Sequence, residues 1–251
     1  MPPVPRSSYT PLHALAAGAV LVWAVFSKGL AAFWQQFVYG LSTVMTTKTA
    51  LLAFLVTSAF FGTVLLFLWI STLFGAARRL AAGEPPPTPP PTVNRLAAVR
   101  LACTCAAPIF LVAFGLNWLC AHALEFLTGT SMADQDLVKC LLAEGEPLSL
   151  RLALCASVLF AAPLTEEPLF RGVVFRGLGA ALPAWAAMAA SGFLFALVHV
   201  NAATFIPLWY LGVAFAWIYA RTGTILAPLT LHALFNGTNL LLLFLCPDFA
   251  T

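Results

Sequence analysis

Charged residues are scarce in this chain. Of its 251 residues, 12 are Lys or Arg and 9 are Asp or Glu, which is 8%, whereas soluble domains carry about 25%. So few charges cannot cover the surface of a water-soluble globule, and the mean hydropathy of +0.94 agrees. The composition therefore excludes an ordinary soluble domain. It also excludes a disordered chain, because hydrophobic side chains make up 61% of the residues.

Three further features are missing from the sequence. The basic residues form no stripe and the net charge is only +3, so we expect no nucleic-acid partner. The order of charged, apolar and small residues that marks a cleavable signal peptide does not occur near Met1, so the first apolar segment is expected to be retained. Most cysteines lie in apolar runs, where a thiol behaves as a small hydrophobe, and we predict neither a disulfide framework nor a cysteine zinc site.

Long apolar runs are abundant instead. A helix needs about 20 mostly apolar residues to cross the hydrocarbon core of a bilayer. On that rule we predict an all-α, polytopic membrane protein with about seven transmembrane helices. The predicted spans begin near Pro11, cover Ala50 to Ala76 and Leu101 to Phe126, begin near Leu148, and cover Ala180 to Val200, Phe205 to Ala220 and Ile225 to Leu245.

Two polar connectors predict the orientation. The segment from Ala77 to Arg100 is basic and contains a run of prolines, whereas the segment from Gly129 to Pro147 is mostly acidic. Because Lys and Arg accumulate in cytoplasmic loops, the basic connector should be cytoplasmic and the acidic one on the far side. With Arg6 close to it, the N-terminus is predicted to be cytoplasmic, in a bacterial inner membrane whose lipids surround the spans.

Ionisable residues inside the spans are candidates for function, because each costs roughly 2.5 to 3.5 kcal/mol to insert. Three groups occur in order along the last four spans: Glu166, Glu167 and Arg171; Phe195 and His199; His232 and Asn236. A fourth group, His122 and Glu125 in the third span, lacks a matching third residue, and we interpret it as structural.

Helical spacing divides these residues. Residues four apart share a helix face, so Glu167 can reach Arg171, while Glu166 is turned about 100° away. One carboxylate is then neutralised and the other is left for chemistry. The same spacing places His232 and Asn236 on one face.

Such residues can hydrolyse a peptide bond without a Ser or Cys nucleophile. A carboxylate in a dry site suits a general base acting on water, and imidazole and carboxamide groups can hold that water or stabilise the oxyanion. Structural roles are the alternative: a buried ion pair, an interfacial histidine and an interhelical hydrogen bond. Three polar groups in order along neighbouring spans favour one shared site.

At these positions the chain resembles the CPBP family, which comprises the CAAX proteases and bacteriocin-processing enzymes of the Abi group. The family pattern is E-E-x-x-x-R, then F-x-x-x-H, then H-x-x-x-N, and every patterned position is matched. The resemblance covers about Leu148 to Leu245. It implies two regions, residues 1–147 with the N-terminal spans and residues 148–251 with the protease core, and an active site in an intramembrane cavity formed by the last four helices.

The resemblance also implies roles for the matched residues. Glu166 would activate the hydrolytic water with His199, and His232 and Asn236 would bind the water or the oxyanion. Supporting roles fall to the remaining motif residues, Glu167, Arg171 and Phe195. No cofactor is firmly required; zinc bound by Glu166, His199 and His232 is the alternative, although the helical H-E-x-x-H motif is absent.

The predicted function is therefore that of an intramembrane endopeptidase acting on a membrane-associated protein or peptide, of CAAX or bacteriocin-leader type. A proton-coupled transporter using the same residues as a relay is one alternative. A non-catalytic immunity or binding protein of the same fold is another. The predicted span lengths pose a difficulty for a shared site of the three motifs, since Glu166 falls near one membrane boundary and His199 near the other. We therefore expect a longer or broken helix around Arg171.

Overall fold

The computed structural model describes residues 93–129, 141, 147–179, 182–199, 201 and 203–246. Throughout these ranges the regular structure is helical and contains no strand, which confirms the predicted all-α class for this part of the chain. The helices are α1 (Arg95–Thr128), α2 (Leu148–Gly179), α3 (Ala184–Leu197), α4 (Phe205–Thr222) and α5 (Leu226–Leu245).

Three of these helices, α1, α2 and α5, are long and apolar enough to cross a membrane, and α3 is apolar but shorter. The spans predicted from Pro11 and from Ala50 lie outside the described residues, so the count of seven stays a prediction. Two predicted boundaries are wrong. The connector does not extend to Arg100, because α1 begins at Arg95, and the span predicted over Ala180 to Val200 is, in the part of it that the structure describes, helical only over Ala184–Leu197. The Asn94 side chain accepts a hydrogen bond from the Leu96 amide at 2.9 Å and caps the helix there.

Helix α2 is one continuous helical run that contains two π segments, Ser157–Ala161 and Pro168–Phe175. Prolines accompany both segments: Pro163 follows the first and Pro168 begins the second. Proline lacks the N–H that an α-helix needs, and π turns change the pairing so that the helix can continue. A proline biases the residue before it away from helical angles, but Glu167, which precedes Pro168, keeps them, with φ −64° and ψ −45°.

The lengths of α2 and α3 bring the motifs to one level. Helix α2 continues past Glu166 to Gly179, and α3 is only 14 residues long. At 1.5 Å per residue, Glu166 and His199 each lie roughly 20 Å from the turn that joins these two helices. The expected long helix is therefore present, and residues of α2 meet residues of α3 at that level, as in the edge-to-face contact of Phe170 with Phe195 at 5.2 Å.

Helices α3 and α4 cross with their backbones in close contact. A Cβ built on Gly212 would lie 2.6 Å from the Gly192 Cα, and one built on Gly192 would lie 2.8 Å from the Val213 nitrogen. Beside this crossing the Trp209 indole donates to the Ala189 carbonyl at 2.9 Å. Small residues at such crossings let helices approach closely, which is how helices associate in lipid.

A single apolar cluster joins all five helices. Helix α1 contributes small residues one turn apart, Ala98, Ala102 and Ala106, and its Phe110 and Phe114 pack on Phe235 of α5 at 5.3 and 5.6 Å. The polar motif residues lie inside this cluster, so the packing of the core determines where they point.

Candidate active site

Glu167 is the centre of a buried polar group. Its side chain is fully buried, its Oε1 lies 2.8 Å from His232 Nδ1, and its Oε2 lies 3.1 Å from Arg171 Nε. The predicted i,i+4 pair of Glu167 and Arg171 is therefore present. The Nε–H of Arg171 is not aligned for a hydrogen bond within the described residues, whereas its Nη2 donates to the Gly212 carbonyl at 3.2 Å.

Aromatic rings enclose this group. The Arg171 guanidinium carbon lies 4.7 Å from the ring centroid of Phe195 and 5.0 Å from that of Phe215, at cation–π distance. Phe215 also stacks on the His232 ring at 5.0 Å with an interplanar angle of 21°. Because these rings exclude water, the charges of Arg171 and Glu167 depend on each other for compensation.

His232 is oriented by its Nδ1. An ionised carboxylate only accepts hydrogen bonds, so in the contact with Glu167 the Nδ1 atom carries the proton and donates it. In the neutral ring the lone pair then lies on Nε2. A carboxylate that fixes the imidazole in this way sets both its tautomer and its direction.

His199 is oriented by the backbone of its own helix end. Its Nδ1 lies 2.7 Å from the Phe195 carbonyl oxygen, which can only accept, so Nδ1 is the protonated nitrogen here as well. The Phe195 ring lies 4.8 Å from the His199 ring and 5.9 Å from the His232 ring. Phe195, the first position of the F-x-x-x-H motif, therefore contacts both imidazoles.

Glu166 precedes Glu167 in the sequence and has a different environment. Its Oε2 atom is buried, and no hydrogen-bond partner for it occurs within the part of the chain that the structure describes. Glu166 makes no described contact with His232, which pairs with Glu167 instead. The two adjacent carboxylates therefore have different environments: Glu167 is neutralised by contacts, and Glu166 keeps a carboxylate oxygen for another group.

The Asn236 side chain of α5 bonds to the backbone of α2. Its Nδ2 donates to the Val158 carbonyl oxygen of the first π segment at 2.8 Å. The fourth group is separate: His122 bonds the Trp118 carbonyl of its own helix at 2.9 Å, and its ring lies 4.3 Å from the Trp118 ring at a tilt of 34°. This local contact agrees with the structural interpretation of His122.

Three participants could not be found from the sequence patterns. Phe215 stacks on His232 and faces Arg171, Gly212 supplies a carbonyl acceptor, and Val158 supplies another. Backbone carbonyls leave no trace in the residue type. Phe215 is one of 21 phenylalanines, so its identity alone does not single it out.

The candidate metal ligands are not grouped into a site in the part of the chain that the structure describes. In residues 93–129, 147–179, 182–199 and the other described positions, no three His, Cys, Asp or Glu side chains are grouped so that they could hold a metal ion. Glu166, His199 and His232 are thus not arranged as a ligand set, and Nδ1 of each histidine is already engaged. Zinc bound by these three residues stays an alternative to the favoured metal-free site.

A groove of about 490 Å³ runs between α3 and α4 and is lined by Trp185, Ala189, Phe193 and Trp209, among other apolar residues. None of the motif residues lines it. Its apolar walls offer no acid, base or oxyanion donor.

One known protein family matches the segment that carries these residues. Residues 148–238 match the family model described as type II CAAX prenyl endopeptidase Rce1-like. Over this segment the chain is similar to Rce1-like CAAX endopeptidases. The family recognised from the three motifs is thereby confirmed. Neither the curated proteins nor the solved structures gave a significant match to the chain.

The Rce1-like domain contains α2, α3, α4 and the first part of α5, and therefore all seven matched motif residues. Its family supports a CAAX-type endopeptidase within an integral membrane protein. Helix α1 lies outside the matched segment, yet its residues belong to the same apolar cluster. The division at residue 147 into two regions stays a prediction.

Proposed function

We propose that this protein is an intramembrane endopeptidase in which Glu166 activates water for attack on a peptide bond of a membrane-associated protein or peptide. The observation that carries the proposal is the unequal environment of the two carboxylates. Both oxygens of Glu167 lie against a partner, Oε1 against His232 and Oε2 in the ion pair with Arg171, although Oε2 makes no aligned hydrogen bond. Glu166 is half-buried, and its buried Oε2 has no hydrogen-bond partner in the described ranges. A carboxylate oxygen with unused acceptor capacity suits a general base.

The reaction would proceed through a tetrahedral intermediate. Glu166 takes a proton from water as the water oxygen bonds to the scissile carbonyl carbon, and it returns that proton to the leaving amine. His199, with Nδ1 protonated, presents an Nε2 lone pair that accepts the water's other hydrogen. The His232 ring carries a proton on both nitrogens in this step: Nδ1 donates to Glu167 and Nε2 donates to the oxyanion. The second Nδ2 hydrogen of Asn236 is a further donor.

The family match favours this function over a proton-coupled transporter or a non-catalytic protein, since it places the motifs in an endopeptidase family. We propose substrates with a cleavage site close to the membrane surface, of CAAX or leader type. No cofactor enters the proposed steps.

The test is the Glu166→Gln substitution. Glutamine keeps the shape of the side chain and removes the base, so cleavage of a membrane-proximal reporter peptide by the purified protein should fall by about 10²-fold or more. Glu125→Gln on the exposed face of α1 is the matched control and should leave the rate unchanged. A Glu166→Gln protein with the rate of the unsubstituted protein would refute the assigned base.

We also propose an orientation. Val93 donates to the Thr222 carbonyl at 3.0 Å, so the start of α1 and the end of α4 lie at the same end of the bundle. Phe175 contacts Tyr219, which brings the end of α2 there too. This end therefore carries the arginines at 95, 100, 176 and 221. By the positive-inside tendency it faces the cytoplasm.

A further inference from the structure

The first π segment of α2 leaves one carbonyl in need of a donor. At the end of this segment the Ala162 amide donates to the Ser157 carbonyl, five residues back. In the same register the amide of residue 163 would donate to the Val158 carbonyl. Residue 163 is proline, which has no N–H, so the chain's own backbone cannot make that bond.

Asn236 supplies the missing donor from another helix. Its Nδ2 atom lies 2.8 Å from the Val158 oxygen, and the assignment of nitrogen and oxygen follows because a carbonyl can only accept. The two helices are in contact around this bond: a Cβ on Gly237 would lie 3.4 Å from Leu159, and Leu154 shares an apolar cluster with Leu240 and Leu243. The amide thus replaces, in space, the N–H that Pro163 lacks.

The π segment sets the direction of the two carboxylates. A π turn inserts one residue relative to an α-helix and so rotates every following side chain by about 100°. Glu166 and Glu167 follow the segment directly. Without the extra residue, both carboxylates would turn by one residue step, and Glu167 would no longer face His232 and Arg171 as it does.

We infer that Asn236 is a positioning residue, which holds the Val158 carbonyl in the π geometry and thereby keeps Glu167 on His232 and Glu166 free to act as the base. The inference rests on the proposed function for its catalytic part. Its structural part, the coupling of Asn236 with Pro163, is independent of any activity.

A double-mutant cycle tests the coupling. Pro163→Ala restores an N–H that can reach the Val158 carbonyl, so the Asn236→Ala substitution should cost less in the Pro163→Ala protein than in the unsubstituted one. We expect Asn236→Ala alone to lower the unfolding temperature in detergent by about 3–8 °C, and by less than half of that shift in the Pro163→Ala background. Equal shifts in both backgrounds would overturn the inference.

Peptide cleavage by the same four proteins separates positioning from mere stabilisation. Per folded molecule, Asn236→Ala should lower kcat with little change in KM. Adding Pro163→Ala should recover the share due to positioning, at least tenfold, whereas the share due to the Asn236 donor to the oxyanion stays lost. If stability couples but kcat does not recover, the lost kcat belongs to that donor alone, Asn236 does not position the base, and the inference fails. If no variant, nor the unsubstituted protein, cleaves any peptide, the proposed function fails while the stability cycle still decides the contact.

A second substitution guards against misfolding of the first. Asn236→Asp keeps the side-chain shape but sets a carboxylate oxygen against the Val158 carbonyl above pH 7, so it should unfold at a lower temperature than Asn236→Ala. Asn239→Asp is the matched control, because Asn239 is exposed and donates to the Phe235 carbonyl of its own helix at 2.9 Å. If Asn236→Asp unfolds no earlier than Asn239→Asp, the contact with Val158 does not hold the helix.

Discussion

The two nitrogens of His232 have separate tasks at the residue scale. Nδ1 donates to Glu167 at 2.8 Å inside the aromatic enclosure, and Nε2 is the atom that the proposed mechanism uses. Amide side chains can replace one nitrogen at a time, since the amide of asparagine lies near the position of Nδ1 and that of glutamine near the position of Nε2. Stability and activity can therefore be measured apart.

We predict that His232→Asn folds but does not cleave. Asparagine keeps a donor for the buried carboxylate of Glu167, so its unfolding temperature should lie above that of His232→Leu, which leaves that carboxylate with one partner fewer. Peptide cleavage should fall by about 10²-fold or more in both variants. Thermal unfolding in detergent and the cleavage assay together check this, and substantial activity in His232→Asn would contradict the role of Nε2.

The crossing of α3 and α4 acts at the element scale. It fixes Phe195 and Phe215, which lie on the two crossing helices, around the Arg171 guanidinium. The Gly212 carbonyl at the crossing also accepts from Arg171. Packing of two helices and orientation of the buried charges thus depend on the same glycine.

We predict that Gly212→Ala separates these helices and lowers both stability and activity. The added Cβ would lie 2.6 Å from the Gly192 Cα, and backbone cannot yield as a flexible side chain does. A loss of about 1–3 kcal/mol in the free energy of unfolding is expected. Gly115→Ala is the control, because nothing lies within 4 Å of its added Cβ and alanine favours a helix over glycine. Similar unfolding temperatures for the two variants would show that the crossing tolerates a Cβ.

The residues of the candidate site could be singled out from the sequence because ionisable residues are rare inside apolar runs. The pairing of Glu167 with Arg171 followed from helical spacing alone. Which carboxylate meets His232 could not be predicted in this way, because the π segment Ser157–Ala161 rotates the helix before Glu166, whereas spacing rules assume a uniform helix. The start of α1 was misplaced because Arg95 and Arg100, as charged residues, were assigned to the polar connector. Both are in fact helical and exposed.

At the scale of the whole molecule, the described helices alternate in direction. Helix α5 begins at Leu226, directly after α4 ends at Thr222 with Gly223 in the left-handed region at φ 66°. Helix α5 therefore starts at the arginine-bearing end and runs to Leu245 at the other end. The proposed orientation then places Cys246 on the side opposite the cytoplasm.

We predict that reporters at the two ends of α5 will give opposite results in bacterial cells. Alkaline phosphatase fused after Cys246 should be active and green fluorescent protein there dark, since the first needs an oxidising compartment and the second a reducing or cytoplasmic one. The same reporters inserted after Gly223 serve as the control and should show the reverse pattern. A dark phosphatase and a bright fluorescent protein after Cys246 would invert the proposed orientation.

The short third helix has a consequence for the surrounding lipid. At 1.5 Å per residue its 14 residues span about 21 Å, against a hydrocarbon core of about 30 Å. A bilayer meets a helix that is too short by thinning locally or by letting flanking groups reach outward. Headgroups are then drawn down beside the end of α3, where Asn201 bonds the amides of Ala203 and Thr204. A polar peptide that approaches from that side of the membrane would then cross a thinner hydrocarbon layer before it reaches the imidazole of His199.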